Sequence, residues 1–278
     1  MAAYVHTHET VESMVEAADV AYKNGRCYRG VARSRPDFTG REDLGSWDDI
    51  KAKVNQAWPD GLETVEGMIR ELGTVSLPRP QSRQRRKRWS EDDGDEVDND
   101  RLRSGQEFWR KSERQVTTGS PTVAIVVNIA ALGLVDARDI LWRGAAAAVL
   151  ANFLQEAGYQ VEFWAVRYSR DAYQDKSDTF QAVCLKRAGQ PLDLATLVNG
   201  VSGWFLRTVI YQEMHAETHS QPDEGYGYAK HLSPRDERID QLVGNATRFV
   251  IDGVWDRPAA ISTVREIISS LNEKECSR

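Results

Sequence analysis

TVAIVVNIAALGLVDARDILWRGAAAAVLANFLQEAGYQVEFWAVR, Thr122 to Arg167, decides the fold class. Val123 to Val127 is an apolar run rich in β-branched residues and too short for a helix of its own. A polar turn follows, and a helical pattern then runs from about Asp136 to Ala157, with Ile140, Ala147, Leu150, Ala151 and Leu154 at the spacing of one buried face. Gly158 stops the helix as a left-handed cap would, and Val161 to Val166 reads as a second strand. Strand, helix and strand make a βαβ unit, and an unbroken apolar first strand predicts burial on both faces.

Working outward, Asp178 to Lys186 alternates well enough for a third strand. The short turn before it places that strand antiparallel beside the second. Pro191 to Val198 and about Ser202 to Glu217 are predicted helices, the latter with Phe205, Val209, Ile210 and Met214 inward. Residues 218 to 246 read as a polar excursion with a short helix near Asp236 to Val243; Arg248 to Asp252 is the fourth strand, and Pro258 opens a last helix. The expected fold is α/β: an open, mostly parallel sheet with one antiparallel edge strand, over residues 119–278.

Residues 1–77 read as a small helical region docked on that core. One helix covers about 9 to 23, Ser46-Trp-Asp-Asp49 reads as a capping box, and Leu62, Val65, Ile69 and Leu72 form one further face. So few residues hold too little apolar surface for a secure core, so Trp47 and Trp58 need the α/β layer to pack on. Residues 78–118 read as a charged joint. Arg79 to Arg88 carries six cations, Arg79, Arg83, Arg85, Arg86, Lys87 and Arg88, and Glu91 to Asp100 carries seven carboxylates. Internal pairing is the plain reading of the two runs; the basic one is also a candidate grip on phosphates. The acidic run lacks the spacing of a calcium loop.

Composition narrows the function classes. The chain is 41% hydrophobic and 28% charged with a net charge of −6, as a water-soluble globular protein would be, without global attraction for nucleic acid or membranes. No stretch approaches the apolar length of a membrane span, and the acidic, amphipathic first residues do not read as a signal peptide. Cys27, Cys184 and Cys276 are widely spaced, which fits a reducing compartment and predicts a cytoplasmic location. Cys184, within a strand, reads as a small core residue. Phosphate-binding glycine loops and a GxSxG elbow are missing from the sequence. His215-Ala-Glu217-Thr-His219 puts two imidazoles at i and i+4, but the glutamate is misplaced for a zinc protease and the helix frays there.

The order of elements over Thr122 to Leu271 resembles a von Willebrand factor A-like domain. More specifically, GDEVDNDRLRSGQ at Gly94 to Gln106, VNI at Asn128, WRGAAAAVLANFLQEAGYQVE at Trp142 to Glu162 and PLDL at Pro191 are similar to an uncharacterised family of phage and bacterial genomes. That likeness implies a phage-related setting, a host cytoplasm and no mechanism. The von Willebrand likeness implies a magnesium site at the end of the first strand, held by Asp-x-Ser-x-Ser. The matching positions here are Asn128, Ala130 and Leu132, and a hard dication needs oxygen ligands that alanine and leucine lack. The site is therefore read as degraded, with Asp252-Gly253 its remnant, and neither a metal nor another cofactor is expected.

The leading expectation is a non-enzymatic interaction or assembly factor that holds a protein partner at the strand ends or on its N-terminal helices. Its candidate residues are Asn128, Arg143, Tyr168, Arg170 and Asp252, with Arg143 expected to pair with Asp139. One alternative is a nucleic-acid-associated protein using Arg79 to Arg88. Another is a hydrolase of unrecognised chemistry around Asp252, Asn128 and the histidines at 215 and 219.

Overall fold

Parallel pairing on both sides explains the apolar run at Val123 to Val127. In the computed structural model, which describes residues 4–27, 36–78, 87–90, 94, 96–112, 120–170, 178–217, 228–244 and 246–276, all five are buried. The chain divides into two compact units, Met1–Pro78 with Thr122–Arg278, and Arg79–Pro121.

The larger unit holds a mixed α/β fold. Its first elements are β1 (Tyr4–His8), α1 (Val11–Lys23), α2 (Trp47–Val54) and α3 (Pro59–Leu72). Ser46 caps α2 in a reciprocal capping box with Asp49. Trp47 is buried, its indole N–H donating to Asp19 at 2.9 Å.

The smaller unit contains β2 (Lys87–Ser90), β3 (Glu96–Val97) and β4 (Trp109–Ser112), an antiparallel sheet in the order β2-β4-β3. A helical turn, Asn99–Arg103, is capped by the Asp98 carboxylate. Arg101 and Arg110 lie over the Trp89 ring at 4.2 and 5.4 Å. Charge density hid these strands from sequence reading, because two aromatic anchors, Trp89 and Trp109, are all that marks them. Arg79, Arg83, Arg85 and Arg86 lie outside the described residues, as do Glu91 to Asp93 and Asp95; Lys87 and Arg88 are placed only as backbone of β2.

Returning to the larger unit, β5 (Thr122–Asn128) leads into α4 (Ala137–Glu156), β6 (Gln160–Arg170) and β7 (Asp178–Lys186). Asp136 caps α4 by accepting from the Arg138 N–H at 2.8 Å. Gly158, at φ 97°, lets the chain turn out of it, with the Tyr159 N–H bonding back to the Leu154 carbonyl at 3.0 Å. α5 (Leu194–Gly200), a π-helical turn (Leu206–Ile210) and α6 (Tyr211–Glu217) follow, then β8 (Tyr228–Ala229), α7 (Glu237–Val243), β9 (Thr247–Ile251) and α8 (Arg257–Cys276).

The main sheet has the order β1-β7-β6-β5-β9, with β8 against the end of β6. β9, β5 and β6 are mutually parallel, and β7 runs antiparallel to β6. β1 pairs in parallel beyond β7, so the antiparallel strand is internal to the sheet and the N-terminus supplies the edge. Among the described residues, α1 to α6 and α8 pack into one apolar cluster on one sheet face, whereas α7 contributes Ile239 and Val243 to a smaller cluster on the other. α4 is buried almost all round because it lies between the sheet and neighbouring helices α3, α5 and α8. No described helix is long and apolar enough to cross a membrane.

Candidate functional site

β5 and β9 end side by side, which brings Asn128 and Asp252 together. The Asn128 amide donates to Asp252 Oδ2 at 3.0 Å and to the Lys230 carbonyl at 2.8 Å. Its Oδ1 accepts from the backbone N–H groups of Ala130 at 3.2 Å and Tyr168 at 3.3 Å. Asp252 Oδ2 also accepts from the Leu232 N–H at 2.7 Å, and Oδ1 from the Gly253 N–H at 2.7 Å. His231 Nδ1 stands 3.1 Å from Oδ2 and Arg143 Nη1 3.5 Å from Oδ1. Donors thus meet both carboxylate oxygens, and Asn128 is tied to three segments at once.

Arg143, on α4, is fully buried beneath this network. Its Nη1 donates to the carbonyls of Asn128 and, at 3.2 Å, Ala130, while the Trp255 ring lies 4.1 Å over the guanidinium. Its Nε and Nη2 are buried without a hydrogen-bond partner. Those two atoms form the side-on fork with which arginine grips a carboxylate. Burial lowers the guanidinium to about 10, opposed by Asp252, so it stays cationic at neutral pH. The expected partner of Arg143 was Asp139, one helical turn away; the structure pairs it with Asp252, because the side chain enters the sheet end instead of running along its helix.

A second buried arginine supports the same loop. Arg207, on the π-helical turn, donates to the carbonyls of Phe38 and Val135, and to that of Leu132 at 3.3 Å. The β5–α4 loop is therefore held from beneath by Arg143 at its start and Arg207 at its end. On its outer side Leu134 is 100% exposed and Leu132 45%, and Trp255, on the neighbouring β9–α8 loop, is 39% exposed.

Tyr168 and Arg170 form a separate cluster further along β6. Asp178 accepts from the Tyr168 hydroxyl at 2.8 Å, Lys230 Nζ at 2.6 Å and Arg170 Nε at 3.3 Å. Burial pushes its carboxyl up, but these donors outweigh it and hold the pKa at about 2. Arg238 adds a cation–π contact over Tyr168 at 4.1 Å. Of the five strand-end residues singled out from sequence, Asn128, Arg143 and Asp252 form one network. Tyr168 reaches it through its backbone and through Lys230, and Arg170 bonds only to Asp178 among the contacts above.

The magnesium site implied by the von Willebrand factor A resemblance does not fit these residues. Asn128 turns its amide nitrogen toward Asp252, and the Asp252 oxygens already accept from neutral and cationic donors. Cys184 is buried in β7, and burial drives its thiol up to about 12, which is unsuited to a nucleophile. His219 lies outside the described residues, and His215 and Glu217 are placed only as helical backbone. Sequence reading missed a different grouping, His6, His8 and Glu213. Its one signal was the spacing of two histidines by two residues, which shares a face only if residues 4–8 are a strand.

A family model described as Domain of unknown function (DUF7192) matches residues 3–275. The chain belongs to this family. The DUF7192 match spans both compact units, so the small sheet over residues 87–112 lies within the family's extent. Neither the curated proteins nor the solved structures contain a match to the chain.

Proposed function

We propose that this DUF7192 chain is a non-enzymatic interaction or assembly factor whose partner docks on the β5–β9 strand ends. One observation carries the reading: a wholly exposed leucine, Leu134, stands on a loop clamped from beneath by two buried arginines. An apolar side chain left in water on a preorganised loop is costly in isolation and useful for binding, since little ordering entropy remains to be lost on docking. Leu132 and Trp255 extend the apolar rim. Arg143 lies fully buried beneath Trp255 and supports this rim from inside, so what the face offers a partner is apolar: Leu132, Leu134 and Trp255.

On this reading the core is a von Willebrand factor A-like fold that keeps the strand-end docking face and has replaced its metal by the Arg143–Asp252 pair. The order of strands and the meeting of Asn128 with Asp252 support it. A phage-related assembly in the host cytoplasm is the setting, supported by the motifs at Gly94 to Gln106 and Trp142 to Glu162.

The test is site-directed photo-crosslinking from position 134 in host extract, repeated with Trp255→Ala and Leu132→Asp. A single crosslinked protein, lost in both variants and retained when exposed Val20 on α1 is changed to Asp, is the expected result. Crosslinks that are indifferent to Trp255 and Leu132 refute the docking face.

A further inference from the structure

We propose that His6, His8 and Glu213 form a binding site for a zinc-like divalent transition-metal ion, in a part of the fold separate from the strand-end face. His6 and His8 alternate along β1 and project from the same sheet face, opposite the first turn of α6, which carries Glu213. His6 Nδ1 lies 2.5 Å and His8 Nε2 3.1 Å from the same oxygen, Glu213 Oε1. The imidazole centroids are 4.4 Å apart, and the three donor atoms all fall within 4.8 Å of one another.

The chemistry of the donors selects the ion. Two imidazole nitrogens and one carboxylate oxygen are a catalytic-type zinc set, three protein ligands with a further position open. Magnesium and calcium favour all-oxygen shells. His6 is the partly exposed ligand, its side chain 23% accessible, while Glu213 at 1% forms the floor. Tetrahedral zinc with bonds of about 2.0–2.1 Å needs ligand atoms about 3.3 Å apart. Binding therefore draws His6 away from Glu213 by a little under 1 Å and sets the two imidazole nitrogens, which lie within 4.8 Å of each other, to the same spacing, both by side-chain adjustment.

A built outer shell distinguishes this cluster from a plain buried ion pair. Glu213 Oε2 accepts from the Gln181 amide, and Gln181 Oε1 accepts from Arg167 Nη1 at 2.9 Å, with Gln181 and Arg167 both buried. Neutralising one carboxylate needs one cation. Here two imidazoles converge on a single oxygen while a glutamine fixed by an arginine holds the other, which is how ligating carboxylates are oriented.

The experiment uses the untagged full chain, stripped with EDTA and titrated with zinc chloride against a chromophoric chelator. One zinc per chain is expected, and cobalt(II) should give the visible absorption of a four- or five-coordinate site. Gln181→Ala should weaken zinc by about 10–100-fold, as loss of an outer-shell partner does. His6→Ala and Glu213→Gln should weaken it further, whereas His231→Ala and the double change His215→Ala, His219→Ala should leave affinity unaltered. His6 is the partly exposed ligand, so its variant, checked for native far-UV circular dichroism, keeps the test open if Glu213→Gln unfolds. A stripped wild-type chain that takes up no zinc overturns the assignment. So does zinc affinity that survives in folded His6→Ala, or that disappears with His215 and His219.

Discussion

Replacing Asp252 by alanine should be among the most damaging single changes at the sheet's carboxyl end. Among the described residues Asp252 is the only acidic group in contact with buried Arg143, and it also receives the Leu232 and Gly253 N–H groups and the Asn128 amide. Breaking a buried ion pair by removing one partner costs about 3–5 kcal/mol, because the remaining charge is left uncompensated. Orphaned buried donors add about 1–3 kcal/mol each. Asp252 is itself 9% exposed, so water relieves part of that burden. A net loss of about 4 kcal/mol is expected, which for a chain of this size lowers Tm by about 8–16 °C. Urea denaturation at neutral pH, followed by circular dichroism, measures it directly. Adding Arg143→Met removes the stranded charge, although the Asn128 and Ala130 carbonyls then lose their donor, so the double change should cost less than the sum of the two single ones and the pair should couple by at least about 1 kcal/mol in a double-mutant cycle. A loss below about 1 kcal/mol for Asp252→Ala, or strict additivity with Arg143→Met, would show that the pair does not hold the strand ends together.

Gly144 on α4 faces Val201 so closely that an added Cβ would lie 2.6 Å from the Val201 Cβ and 2.9 Å from its carbonyl oxygen. Gly144→Ala should therefore destabilise by about 1–3 kcal/mol through overpacking, although alanine gains about 1 kcal/mol in helix propensity; a variant more stable than wild type in the same urea assay would contradict the close approach. At Asp178 the carboxyl is held at about 2, below its ordinary value, so its contribution is present above the ordinary carboxylate range and is lost as pH falls toward about 2. Asp178→Asn should cost about 1 kcal/mol at neutral pH, in the range of partly exposed pairs. Melting curves between about pH 4 and pH 2 should then fall less steeply for the variant than for wild type, and parallel curves would refute the assignment of acid sensitivity to this residue.

Much of the architecture was legible in the residues between Thr122 and Arg167. β-Branched runs, a three-to-four apolar spacing and a glycine stop report on backbone conformation and burial within a few residues, and α4, Ala137–Glu156, lies within one residue of the span that spacing predicted. The antiparallel β7 and the capping box at Ser46 were local signals of the same kind. So was the meeting of Asn128 and Asp252, since strand-end polar residues on neighbouring strands of an open sheet are forced together. β1 was not legible: Tyr-Val-His-Thr-His is five residues of mixed polarity, and only pairing with β7 makes it a strand. Glu213 gave no sign either, because its partners at His6 and His8 lie more than 200 residues away in sequence. The same holds for Arg143 and Arg207, which look like ordinary helix-surface cations until the packing of α4 and the π-helical turn carries them under one loop. Sequence periodicity records which side of an element faces apolar surroundings. Which buried charge meets which carbonyl or carboxylate is set by tertiary packing alone, where desolvation forces every such group to find a partner that the chain did not place nearby.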